Sequence, residues 1–123
     1  MKALRIRPWE APELVDLPIK TPEDELRALQ DEIGGYLEIV RTGPGTALVV
    51  DEEGLLKELE LNFTASSLVG TTIVGPALLI GMAPSPDGDI CADLPEAAQE
   101  AAKALWEIIY REYDTDEQEE KVE

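Results

Sequence analysis

Histidine is absent from this chain of 123 residues, and cysteine occurs once, as Cys91. Without histidine the chain cannot form a Ser-His-Asp triad or a metal site that uses imidazole ligands. A single cysteine excludes a disulfide within the chain and a pair of redox-active thiols. These absences remove most familiar active sites, so we expect a protein that is not an enzyme and needs no cofactor and no metal.

Basic side chains are also scarce, because 10 Lys and Arg residues stand against 27 Asp and Glu residues and give a formal net charge of −17. Such a charge repels phosphate backbones and anionic lipids, so we expect no direct binding of nucleic acid or membrane and a partner with a basic surface. The hydrophobic fraction of 44% is ordinary for a folded protein, and the length suits one domain.

No secretory signal is visible at the N-terminus, since basic residues interrupt the early apolar stretch and Pro8 closes it. We therefore expect a cytoplasmic protein. Residues 61–86 contain no charged side chain, but many Ser, Thr, Gly and Pro residues interrupt this segment. It is better interpreted as a buried helix and strand than as a membrane span.

Two strands and a helix are predicted in the first third of the chain. Alternation over residues 2–7 and a short return over 13–17 predict a hairpin with Trp9 at its tip. Thr21-Pro22 is typical of a helix start, and Gly34-Gly35 of a helix end. Apolar residues at helical spacing predict one buried stripe in this helix: Leu26, Leu29 and Ile33.

The middle of the chain predicts a meander of neighbouring antiparallel strands. Strands are expected over residues 36–40, 46–50 and 55–61, followed by a short helix or turn over 62–69. Residues 71–82 form a continuous apolar run, which indicates burial on both faces, with Gly75-Pro76 marking an edge or a bulge.

A loop over residues 83–92 precedes the longest predicted helix, whose start lies at Asp93-Leu94-Pro95-Glu96. Its core-facing stripe is expected to be Leu94, Ala98, Ala101, Leu105 and Ile108. Together these elements predict a single α+β domain over residues 1–113, a mainly antiparallel sheet with two covering helices. Residues 114–123 are mostly acidic and are expected to form a mobile tail.

Two potential reactive sites in the last third of the chain fit simpler interpretations. Asp87, Asp89 and Asp93 resemble the start of a calcium loop, but alanines stand where such a loop needs its glycine and its bidentate glutamate. Cys91 lies between these aspartates, whose charge should raise the thiol pKa and make the thiolate less accessible.

Acidic side chains on or beside the predicted elements are the main candidates for binding a partner: Glu23, Asp24, Asp31, Glu32, Asp51, Glu52 and Glu53. They can simply keep the protein in solution, or they can mimic DNA and compete for the basic groove of a DNA-binding enzyme. Aromatic residues on the last helix, Trp106, Tyr110 and Tyr113, either dock a second subunit or partner, or pack against the sheet.

Five stretches, over residues 1–6, 34–40, 49–54, 62–68 and 70–81, occur in a distinctive order. In that order they resemble the bacterial and phage family of domains of unknown function number 3846, over roughly residues 2–82. The resemblance implies a small intracellular domain carried by phages, plasmids and other mobile elements. It implies no activity and no catalytic residues.

Three hypotheses about function follow. The first is a small acidic binding protein of a phage or mobile element in the cytoplasm of a bacterial host, acting on a basic protein, for example as a DNA-mimic inhibitor of a defence nuclease. The second is a structural accessory domain that self-associates, as a homodimer, through its aromatic helix face. The third is an enzyme with an unrecognised pocket for a small molecule.

Overall fold

The computed structural model describes the backbone of residues 1–122 and the side chains of residues 1–111. Six strands and three helices follow one another along the chain. They are β1 (Lys2–Ile6), β2 (Glu13–Asp16), α1 (Pro22–Ile33), β3 (Leu37–Gly43), β4 (Thr46–Asp51), α2 (Phe63–Val69), β5 (Ala77–Ala83), β6 (Ile90–Ala92) and α3 (Glu96–Val122). The predicted mobile tail, residues 114–123, falls outside the described side chains and stays a prediction.

All strand pairs are antiparallel, in the order β2-β1-β5-β4-β3, and β6 pairs with the end of β5. This arrangement confirms the predicted α+β class. Three helices cover the sheet rather than two, because the segment that the sequence left open as helix or turn forms α2. Asn62 caps this helix by accepting a hydrogen bond from the amide of Ala65 at 3.1 Å.

The central strand β5 is buried on both faces from Ala77 to Gly81, as its continuous apolar run predicts. Pro76 does not mark an edge or a bulge, contrary to our expectation. It precedes Ala77, the first residue of β5 that pairs with both neighbours, so its missing amide removes no ladder hydrogen bond. The predicted meander is therefore only partly correct, because β5 lies between the hairpins β1-β2 and β3-β4.

One face of the sheet packs against α1, which buries Ala28, Leu29 and Ile33. The predicted stripe was wrong at Leu26, which is 57% exposed. The helix is rotated so that Glu32, one position before Ile33, reaches Arg5 on β1. This pairing turns Leu26 towards solvent and places Ala28 on the sheet.

The other face packs against α2 and α3, with Ala65, Leu94 and Ala102 in its core. The predicted stripe of α3 was wrong at Ala101 and Ile108, which are exposed. Ala102 is fully buried instead, because its small side chain lets the helix approach the core closely. Trp106, one turn later, then falls on the inner side of α3.

The predicted strand over residues 55–61 does not form, and consecutive turns occupy residues 52–58. Backbone hydrogen bonds of local range hold these turns, including Lys57 N to Glu53 O at 3.0 Å and Glu58 N to Leu55 O at 3.2 Å. Glu58 has a positive φ of 54°, which is incompatible with an extended strand. Only Leu61 makes a strand-like bridge, to Val74.

Residues 61–86, which lack charge, form α2, β5 and their connections, in agreement with the interpretation as buried helix and strand. None of the helices in the described part of the chain combines the length and the apolar character needed to cross a bilayer.

Candidate functional site

One end of the sheet carries three of the candidate acidic residues, Asp51, Glu52 and Glu53. Ile6 at the end of β1 pairs with Ala77 at the start of β5, which in turn pairs with Val50 near the end of β4. Asp51 then pairs with Leu37 at the start of β3. Residues 52–60, which we call the acidic loop, leave the sheet at this end.

The acidic loop is ordered by its own backbone and by the segment before β5. Glu52 N donates to Tyr36 O at 2.9 Å, and Leu59 N donates to Gly54 O at 3.2 Å. Gly54 is buried, and a Cβ at this position would lie 2.9 Å from Val74 Cγ2. The loop is therefore packed closely against the chain that enters β5.

Asp51 carries the charge that organises this loop. Its side chain is only 2% exposed and accepts hydrogen bonds from the backbone amide of Glu53 and from Lys57 Nζ, both at 2.8 Å. The hydrogen bond to Asp51 raises the pKa of Lys57, and the charges of Asp51 and Glu53 raise it further. Lys57 is the only basic residue of the acidic loop, so its charge is neutralised within the molecule.

Gly35 makes room for this ion pair. A Cβ at position 35 would lie 2.6 Å from Lys57 Nζ and 3.1 Å from Asp51 Oδ2. The absence of a side chain at Gly35 thus lets the end of α1 approach Asp51 and Lys57. The sequence predicted this glycine only as part of a helix stop.

Large apolar side chains lie exposed beside these charges. Tyr36 is 67% exposed, Leu55 72% and Leu56 83%. Tyr36 and Glu53 line an open cleft of about 390 Å³, and Leu55, Glu38 and Glu52 line a smaller one of about 80 Å³. We give the name acidic platform to the exposed and half-buried acidic and apolar residues around the start of β3 and in the first part of the acidic loop: Tyr36, Glu38, Glu52, Glu53, Leu55, Leu56 and Glu58.

The structure brings Asp51, Glu52 and Glu53 together at this end but places other predicted acidic residues elsewhere. Glu23 and Asp24 lie in the first turn of α1, and Asp24 accepts hydrogen bonds from the backbone amides of Lys20 and Thr21. The twelve residues of α1 span about 18 Å, so this turn is far from Gly35. Asp31 is exposed near the other end of α1, one residue after Gln30, which lines the larger cleft.

Glu32 is committed to an internal ion pair. Its carboxylate accepts two hydrogen bonds from Arg5, from Nε at 2.8 Å and from NH2 at 2.6 Å, while Glu13 accepts one from Arg5 at 3.1 Å. The hydrogen bonds to Arg5 lower the pKa of Glu32, against the effect of burial. This bidentate pair ties α1 to β1 and leaves Glu32 little capacity for a partner.

The aromatic residues of α3 pack against the N-terminal hairpin. Tyr110 lies 5.9 Å from Trp9, ring centroid to centroid, and accepts a hydrogen bond from the Trp9 amide at 3.1 Å. Trp106 lies 5.1 Å from Tyr110, and Trp9 also packs edge-on against Phe63 at 5.3 Å. Tyr113 lies outside the described side chains. The described rings join the turn between β1 and β2 to α2 and α3, and Trp9 remains half exposed.

The other candidate reactive groups, Cys91, Asp89 and Asp93, make contacts within the fold. Burial raises the pKa of Cys91 to about 12, assisted by a hydrogen bond and repulsion from Glu25, so the cause is not the aspartates that the sequence suggested. Asp89 pairs with Arg41, and Asp93 accepts a hydrogen bond from Lys2 N at 2.8 Å. Over the side chains that the structure describes, no group of three or more Cys, Asp or Glu residues is placed to hold a metal ion.

Comparison with known proteins identifies one family. The family model described as Domain of unknown function (DUF3846) matches residues 1–107. This range extends beyond the stretches that carried the resemblance and includes the first three turns of α3, with Trp106. No curated protein and no solved structure matches the chain.

We predict that Lys57→Met destabilises the fold, because the buried Asp51 carboxylate then keeps only the Glu53 amide as a donor. The double variant D51N/K57M should recover part of the loss, because the side chain at position 51 is then neutral. Urea denaturation of both variants measures the effect, with the exposed Lys20→Met as a control. Equal stability of Lys57→Met and the unmodified protein would contradict the role assigned to this pair.

We also predict that Glu32→Gln lowers the free energy of unfolding at pH 7 by about 1–2 kcal/mol, because it removes the charge from a bidentate hydrogen-bonded pair. The pKa of Glu32 is lowered in the folded state, so its contribution is complete above the unfolded value of about 4.3 and is lost as the pH falls through the folded value. The difference between the two proteins should therefore shrink towards pH 3.

The matched control for this experiment is Glu13→Gln, since Glu13 also contacts Arg5 but its side chain is 62% exposed. We expect a much smaller effect from this exposed partner. A difference between Glu32→Gln and the unmodified protein that stays constant from pH 7 to pH 3 would show that charge is not the cause.

Proposed function

The chain belongs to the DUF3846 family, whose function is unknown, and we propose that it is a non-enzymatic protein that binds a basic surface of another protein through the acidic platform. The observation that carries this proposal is that the one basic side chain of the acidic loop is paired internally, whereas acidic side chains of the loop are exposed. Lys57 is taken up by Asp51, while Glu52 and Glu58 stay exposed beside Tyr36, Leu55 and Leu56.

Electrostatic attraction favours a basic partner both at long range, during the encounter, and at short range, within the interface. The net charge of −17 attracts cationic molecules and speeds their encounter, and the platform adds a local surface of the same sign. A carboxylate that remains partly hydrated, like that of Glu52, can form an ion pair with a partner at little cost in desolvation. The same field opposes direct binding of nucleic acid.

A nucleic-acid-binding enzyme is the more specific class of partner that we propose. Its groove is basic, and carboxylates held several ångströms apart on an ordered loop can take the place of phosphates there. The hydrogen bonds of the acidic loop fix the backbone of Glu52 and Glu53, which supports this use of their carboxylates. Inhibition of a host defence nuclease would suit a protein of a phage or mobile element.

Two other functions have less support. Self-association through α3 would use Trp106 and Tyr110, but these rings already pack against each other and, through Tyr110, against Trp9. An enzyme would need a pocket in which polar groups with shifted pKa values converge. The groups with shifted pKa near the clefts, such as Lys57, are explained by ion pairs within the fold.

Capture of partners from a bacterial lysate tests the proposal through its dependence on salt. We expect a basic protein to be retained at about 0.1 M NaCl and largely released at about 0.5 M, where screening limits the attraction to a few ångströms. The variant E52Q/E53Q should lose the partner at a lower salt concentration than the unmodified protein.

The control variant is E96Q/E100Q, which removes the same charge from exposed positions of α3. Glu96 lies at the opposite end of the sheet, where Leu94 N donates to Lys2 O. This variant should retain the partner nearly as well as the unmodified protein. Equal losses in the two variants would mean that only total charge matters, and retention in high salt would contradict an electrostatic interface.

A further inference from the structure

We infer that the segment bound by the acidic platform is amphipathic as well as basic, so that its apolar side chains cover Leu55, Leu56 and Tyr36 while its Lys or Arg residues meet the surrounding carboxylates. This inference rests on the proposed function and specifies its partner. The nearby acidic groups that would receive the cations are Glu38, Glu52, Glu53 and Glu58.

The leucines of the acidic loop show why a purely polar partner is insufficient. Leu59 packs on the backbone of Gly75, where a Cβ would lie 2.5 Å from Leu59 Cδ1, whereas Leu55 and Leu56 are 72% and 83% exposed. Two adjacent leucines with this exposure present apolar area that a partner can remove from water. A partner with only charged groups would either leave these leucines exposed to water or bury them without apolar contacts.

The loop holds these leucines in place before a partner arrives. Leu55 O accepts a hydrogen bond from Glu58 N, and Gly54 is wedged against Val74, so the backbone on both sides of Leu55 is fixed. The hydrogen bond from Lys57 Nζ to Asp51 Oδ2 joins the loop to the end of β4. These contacts hold the loop backbone in place, so binding requires little further ordering of the loop.

The charges around the leucines determine which amphipathic partner fits. A second copy of this chain would bring two surfaces of the same negative sign together, each on a protein of net charge −17. A neutral apolar segment would leave the carboxylates of Glu52 and Glu53 beside the interface without counterions. A segment that alternates apolar and cationic side chains satisfies both parts of the platform, in the manner of an amphipathic helix bound in a groove.

Two synthetic peptides of about 18 residues, five helical turns, test this inference. The first carries leucines at helical spacing among lysines, and the second has serine at each leucine position with the same lysines. Titration of each fluorescently labelled peptide with the full chain measures affinity at about 0.15 M and about 0.5 M NaCl. We expect the leucine peptide to bind at least about tenfold more tightly and to lose less affinity in high salt.

Variants of the protein test whether the difference in affinity between the two peptides arises at the acidic platform. L55S/L56S should bind the leucine peptide as weakly as the serine peptide, and it should remain folded because both side chains are exposed. The matched control Leu26→Ser, at a leucine that is 57% exposed on α1, should bind like the unmodified protein. E52Q/E53Q should weaken the binding of both peptides.

The results separate this inference from the function on which it rests. Equal affinity for both peptides, or an unchanged affinity in L55S/L56S, overturns the inference but leaves an electrostatic binding function in place. Failure of both peptides to bind overturns both. A dimer of the chain that L55S/L56S dissolves would show that a second copy covers the leucines, and this too overturns the inference.

Discussion

Strand β5 is buried on both faces, and this burial determines where the charged residues of the protein can lie. Helices α1 on one side and α2 with α3 on the other cover the strand, so the sheet has no wet face near its centre. The acidic residues whose side chains the structure describes therefore lie on helix surfaces, at strand edges and in loops. Asp51 is the exception, and its burial at the end of β4 is compensated by Lys57 and the amide of Glu53.

This arrangement links the charge of the protein to its shape. Two basic side chains show the pattern most clearly, since Arg5 joins α1 to β1 and Lys57 joins the acidic loop to β4. Cations that hold the fold together cannot also neutralise its surface. The acidic loop is left with exposed carboxylates and two exposed leucines on a backbone that its own hydrogen bonds fix, which is the combination that our functional proposal uses.

Much of the fold is predictable from local patterns, whereas its tertiary details are not. The helix start at Thr21-Pro22, the hairpin turn at Gly43-Pro44-Gly45 and the apolar run of β5 each have a direct physical cause in the sequence. The exposure of Leu26 could not be foreseen, because it depends on the contact of Glu32 with Arg5, 27 residues away. The strand expected after Gly54 failed because Lys57 turns back to Asp51, a contact that alternation of residues does not reveal.

The candidate site was predictable in part. Charge alone points to the run Asp51-Glu52-Glu53 and does not distinguish Asp51 from its neighbours, whereas the structure buries Asp51. Tyr36, Leu55 and Leu56 were assigned to strands, and only their exposure reveals the apolar part of the platform. A signal for it is present, since residues 52–60 combine three leucines with four glutamates and a glycine, a composition that is unusual for a buried strand. Amide hydrogen exchange of the protein, alone and with its captured basic partner, locates the binding surface. We expect protection on binding to be concentrated in residues 36–38 and 52–60, whereas protection confined to α3 or to the first turn of α1 would show that the partner binds elsewhere.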